Sequence, residues 1–210
     1  MDFDLNLGEW IVIGLSAFLS IWYFNAISSN RRRGLATYRW LYRSLGEIGK
    51  VSHAEWIGSS NIGAYLEVKK AAKPFRHVAA RYQLEPREFL PYWLFSRMKG
   101  KREVAVIQMT LRFAPRAEFE ISPRNNRSRA KETRLRKQMD QGSQVSQADS
   151  EEAQIRAMLE PFMAEYGSTV EKLTLRREAP HITMHCKIQP LLQVSAESYF
   201  KTLLASLKES

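Results

Sequence analysis

Residues 10–30 read Trp-Ile-Val-Ile-Gly-Leu-Ser-Ala-Phe-Leu-Ser-Ile-Trp-Tyr-Phe-Asn-Ala-Ile-Ser-Ser-Asn, without one Asp, Glu, Lys, Arg or His. As a helix rising about 1.5 Å per residue, the stretch reaches roughly 30 Å, the thickness of a bilayer's hydrocarbon core. It predicts a retained membrane span. A cleaved signal peptide would begin with positive charge, whereas residues 1–9 carry Asp2, Asp4 and Glu9 and no Lys or Arg. A buried core helix would gather its polar residues on one face, and here they are scattered.

Arg31, Arg32 and Arg33 follow at once. Basic residues beside a span are retained on the cytoplasmic side, so residues 1–9 are expected to form a short outside tail and the remaining chain to be cytoplasmic. Trp10 at one end and Trp22 with Tyr23 at the other suit the headgroup level, where a ring keeps its N–H or O–H wet. Ser16 and Ser20 stand one helical turn apart, a spacing that lets another helix approach closely.

The first thirty residues hold three acids and no base, which leaves +13 on the remainder of a chain whose formal charge is +10. A basic part of that size favours anionic partners at an inner leaflet or on nucleic acid. Its length supports one good core. The single cysteine, Cys186, excludes an internal disulfide and agrees with a reducing compartment. The histidines at 53, 77, 181 and 185 form no zinc motif, and no cofactor, metal or small-molecule substrate is inferred.

Beyond the arginines, Leu35, Tyr38, Leu41, Tyr42, Leu45 and Ile48 recur at spacings of three and four. They predict a juxtamembrane amphipathic helix over 31–50, closed by Gly46 and Gly49, which lies on the membrane or packs on the domain that follows. Within 51–210 a turn-rich connector at 58–61 leads into alternation of period two. Ile62, Ala64, Leu66 and Val68 pair with Val78, Ala80, Tyr82 and Leu84 across Pro74. Ala105, Ile107, Met109, Leu111 and Phe113 pair with Ala117, Phe119 and Ile121 across Pro115, and Leu173 and Leu175 pair with Ile182, Met184, Cys186 and Ile188 across Pro180. Three hairpins covered by two or three helices give an α+β fold with an antiparallel sheet.

Residues 89–95 read Phe-Leu-Pro-Tyr-Trp-Leu-Phe and precede Arg97, Lys99, Lys101 and Arg102. A membrane-surface segment is one reading; the expected one is a short segment filling one end of the sheet with large rings. Asp149 and Glu152 suggest a capping box opening a helix that runs through Ile155, Leu159 and Phe162 to Gly167, with a kink at Pro161. A last helix after Ser195 is expected to bury Tyr199, Phe200, Leu203, Leu204 and Leu207.

Residues 123–150 form an insertion that cannot build a core. Arg124, Arg127, Arg129, Lys131, Arg134, Arg136 and Lys137 face a single acid, Glu132, and residues 138–150 read as a flexible linker. Anionic lipid, RNA phosphate and an acidic protein surface would each satisfy that charge; without an aromatic residue, RNA binding would be unspecific.

Chemistry is hard to find. His181 and His185 share one strand face about 13 Å apart, too far for one metal, and Cys186 points to the apolar side. Glu118 and Glu120 share a strand face about 6.6 Å apart along it, a spacing that suits paired-carboxylate chemistry; the commoner reason for such acids is a solvated sheet face paired with basic neighbours. No Walker loop, GxGxxG, GxSxG or HExxH occurs. The expectation is a non-catalytic, single-pass membrane protein acting as an accessory or scaffold subunit, binding other membrane or cytoplasmic proteins. The alternatives are an RNA- or ribosome-associating tethered domain and a tethered enzyme with a site assembled from distant residues.

Overall fold

A computed structural model describes residues 6–100, 102–115, 118–122 and 145–208, without the side chains of 145–151 and 208. The layout is α+β: a 40-residue N-terminal helix, then a seven-stranded antiparallel sheet with helices packed on one face. Helix α1 spans Leu7–Gly46. Asn6 caps it through the backbone N–H of Glu9, and the Glu9 carboxylate accepts in return from the Asn6 N–H. This reciprocal pair satisfies two of the donors that a helix start leaves free.

The two halves of α1 have different surroundings. Every residue from Leu7 to Asn25 except the half-buried Trp22 is exposed, although most are apolar. From Ala26 onward a stripe sinks into the domain at helical spacing: Ala26, Asn30, Gly34, Thr37, Leu41, Leu45 and Ile48. Of the two placements open for 31–50, packing on the domain is the one observed. The stripe differs from the expected one, because Tyr42 is exposed while Gly34, Thr37 and Ser44 are buried. Small residues let the helix axis come close. A Cβ on Gly34 would lie 1.9 Å from the Ser60 carbonyl oxygen, and the Tyr82 hydroxyl donates to the Gly34 carbonyl at 2.7 Å.

The strands are β1 His53–Trp56, β2 Gly63–Val68, β3 Phe75–Gln83, β4 Val104–Leu111, β5 Phe119–Ile121, β6 Val170–Leu175 and β7 Ile182–Lys187. Their order is β1-β2-β3-β4-β7-β6-β5. The β2–β3 and β6–β7 hairpins match expectation. The middle hairpin does not form: β4 lies between β3 and β7, and β5 pairs with β6 at the far edge. Both sides of β4 hydrogen-bond to longer strands, so the three-residue β5 cannot compete for either. Phe113, expected inward, lies beyond β4 and is exposed. Strand β1 carries no apolar alternation because all four residues are exposed, which hid it from periodicity; the 58–61 connector is its hairpin turn to β2.

Helix α3 spans Val145–Tyr166, α4 Ile188–Leu191 and α5 Ala196–Lys208. Helix α3 starts upstream of the expected capping box, so 145–150 is helix rather than linker, and Glu152 instead pairs with Arg156 one turn on at 2.8 Å. Tyr199 on α5 joins the helices: its ring meets Trp40, Phe162 and Tyr166 edge-on at 4.9–5.3 Å between centroids. The Trp40 indole donates to the Val194 carbonyl at 2.8 Å, satisfying its one polar group.

Helix α2, Leu90–Met98, corrects the sheet-filling expectation. Only Ser96 is buried and Leu90 and Trp93 are half-buried, while Phe89, Tyr92, Leu94, Phe95 and Met98 point outward. The face turned to the protein carries Ser96 with Leu90 and Trp93, and the other large apolar residues are turned away.

Candidate functional site: a cationic cleft at the foot of the exposed helix

The sheet end bearing Gln83, Val104 and Lys187 lies beside the middle of α1, where the helix passes from exposed to docked. The Asn30 amide donates to the Glu85 carbonyl at 2.8 Å, and the Trp22 indole donates to the Arg87 carbonyl at 3.0 Å. Trp22 also packs on Trp93 of α2, with ring centroids 5.4 Å apart. The indole expected to face headgroup water is thus turned into the protein and holds α2 against α1.

Between these elements opens a cleft of about 540 Å³ whose lining includes Arg33, Arg87, Arg97, Arg102 and Lys187 against two acids, Glu85 and Glu103. Glu103 binds Arg87 at 2.8 Å and Arg33 at 3.2 Å, one carboxylate oxygen to each. Glu85 accepts from the Ser96 hydroxyl at 2.9 Å, which fixes α2 over the cleft. Lys187 reaches the Ser168 carbonyl at 3.4 Å, and the Arg97 guanidinium lies 5.6 Å from the Trp93 ring centroid. Among the described residues, Arg97 and Arg102 pair with no carboxylate, and the buried Nε of Arg87 has no acceptor. The cleft therefore holds positive charge and spare donors that an anionic oxygen can satisfy.

Of the sequence-derived residues, Arg33 lines this cleft, whereas Arg31 and Arg32 project into the open beside it. Arg124, Arg127, Arg129, Lys131, Arg134, Arg136 and Lys137 lie outside the described residues. Trp10 and Tyr23 are exposed. Ser16 and Ser20 are exposed, with the Ser20 hydroxyl donating to the Ser16 carbonyl within the helix. Arg87, Glu103 and Lys187 were not legible as site residues, since Arg33 and Glu103 are 70 positions apart. The basic run after the aromatic stretch was the one available signal.

The residues considered for catalysis have structural engagements. His181 precedes β7, is buried, and its Nδ1 accepts the Leu111 backbone N–H at 2.9 Å. His185 lies on the open sheet face, its pKa lowered by desolvation and then by Lys172. Glu120 binds Lys172 at 2.9 Å, and Glu118 accepts from the Arg177 N–H at 3.2 Å. Cys186 is fully buried against the Tyr199 hydroxyl, and burial pushes its thiol up to about 12. Among the described residues, no three His, Cys, Asp or Glu side chains gather into a metal-binding group. No protein-family model, no curated protein and no solved structure matches this chain.

Proposed function

We propose that this chain is a single-pass membrane protein, anchored by the first half of α1, that holds a basic domain at the cytoplasmic face as a non-catalytic accessory or scaffold subunit. One observation carries the reading: a helix long and apolar enough to cross a membrane leaves its apolar residues exposed over Leu7–Asn25, then becomes a core element of the domain. Nineteen residues rise about 28 Å, close to the hydrocarbon thickness. Burying such a surface in lipid removes from water roughly 1.5–3 kcal/mol per large apolar side chain. Because one helix serves as anchor and core, the domain is held at a fixed height and attitude. Arg31, Arg32 and Arg33 favour the cytoplasmic side for it.

The test is extraction and labelling of the full-length chain in bacterial inner membranes. It stays in the pellet through alkaline carbonate, and a cysteine placed at exposed Glu178 reacts with an impermeant maleimide only after lysis, Cys186 being buried and silent. Release by carbonate refutes the anchor, and labelling of intact cells refutes the orientation.

A further inference from the structure

We infer that α2 is a second membrane contact, lying in the interfacial layer beside the span, and that the cleft behind it receives the phosphate headgroup of an anionic lipid. The inference rests on the anchoring of α1. A nine-residue helix that buries Ser96 and exposes Tyr92, Leu94, Phe95 and Met98 is inside out for a helix facing water. Leu94, Phe95 and Met98 are spaced by one, three and four, so they form one apolar face opposite Trp93. Such a face is stable where its far side is not water.

The height of α2 follows from its contacts. Trp93 packs on Trp22, the one half-buried residue in the exposed stretch, about 6 Å along the axis from Ala26, where docking on the domain begins. That is the boundary between acyl chains and headgroups, and it makes the apolar face of α2 continuous with that of α1.

The charges fit the same plane. Lys99 lies over the Phe95 ring of the apolar face with its Nζ 4.2 Å from the centroid, and Arg97 lies over Trp93 on the side turned to the protein. Arg97 and Arg102 line the cleft and lack carboxylate partners among the described residues, while Arg33 and Arg87 are already joined through Glu103. Two guanidiniums without carboxylate partners, lining one cleft at this height, suit a lipid phosphate in charge and depth. An RNA phosphate would need the apolar face of α2 to remain in water.

The test uses the full-length protein in phosphatidylcholine vesicles with an environment-sensitive fluorophore on a cysteine at Met98, Phe18 or Glu178, each exposed. Trace nitroxide-labelled phosphatidylcholine or phosphatidylglycerol serves as quencher. The Phe18 label is quenched and the Glu178 label is not. The Met98 label is quenched by both lipids, several-fold more per molecule by phosphatidylglycerol, and Arg97→Gln with Arg102→Gln lowers that ratio several-fold while quenching by phosphatidylcholine persists. Each basic residue at an anionic surface corresponds to about a fivefold preference. A quenched Phe18 with an unquenched Met98 overturns the α2 contact and leaves the anchor standing. Equal quenching of Met98 by the two lipids, or a ratio unaffected by the double substitution, overturns the headgroup site. An unquenched Phe18 overturns the anchor and this inference together.

Discussion

Replacing Gly34 by alanine separates what helix propensity predicts from what packing predicts. In an isolated helix interior the change stabilises by about 1 kcal/mol, because glycine loses more backbone freedom on folding. Here the new methyl would meet the Ser60 carbonyl oxygen at 1.9 Å and its carbon at 3.1 Å, both backbone atoms in the β1–β2 turn. Relief requires α1 to retreat by more than an ångström, which stretches the Tyr82 hydroxyl bond to the Gly34 carbonyl and the Asn30 bond to the Glu85 carbonyl one turn away. Overpacking costs about 1–3 kcal/mol and each weakened buried hydrogen bond about 1 kcal/mol. Against the propensity gain of about 1 kcal/mol, the net loss is about 2–4 kcal/mol. Urea unfolding of the full-length protein in detergent micelles, followed by tryptophan fluorescence, gives the difference in midpoint. Gly46→Ala in the same helix is the reference: a Cβ there meets nothing within 4 Å, so it is neutral or stabilising by up to about 1 kcal/mol. A Gly34→Ala midpoint equal to or above wild type, with Gly46→Ala behaving as stated, refutes the close helix–sheet contact.

Further outcomes follow from other contacts. Glu103→Gln removes the charge that joins Arg33 and Arg87 and should lower stability by about 1–3 kcal/mol in the same assay, Arg33 being partly exposed; no change would mean that solvent already screens the pair. Stability should fall as pH rises from about 9, since the folded state keeps the Cys186 proton to about 12 while the unfolded thiol releases its own near 9, so the unfolded state binds fewer protons in that window. Tyr82 and Tyr199, both raised by burial, add the same sign above pH 10, and Cys186→Ala should remove only the part that begins near pH 9. His181→Ala leaves the Leu111 N–H without its acceptor and should cost about 1–3 kcal/mol by urea midpoint. Exchanging Arg124, Arg127, Arg129, Arg134 and Arg136 for Gln should abolish recovery of protein partners from solubilised membranes; unchanged recovery assigns partner binding to other surfaces.

Local periodicity determined much of this protein. The uncharged run at 10–30 marked the exposed apolar helix, alternation located β2, β3, β4, β6 and β7, and the spacing of Tyr199, Phe200, Leu203 and Leu204 placed α5 in the core. These features are legible because helix and strand repeats are short-range and one buried face imprints each on the sequence. Tertiary structure decided the rest. Partner choice for β4 depended on which strands were long enough to occupy both its edges, and β1, exposed throughout, carried no imprint. The outward face of α2 was unreadable because an apolar residue looks the same in sequence whether it meets core, lipid or partner. The cleft was further still from view, since Arg33, Arg87, Arg102 and Lys187 come from four separate segments. The basic run at 97–102 marks one wall of it in the sequence, and folding alone brings Arg33, Arg87 and Lys187 to that wall.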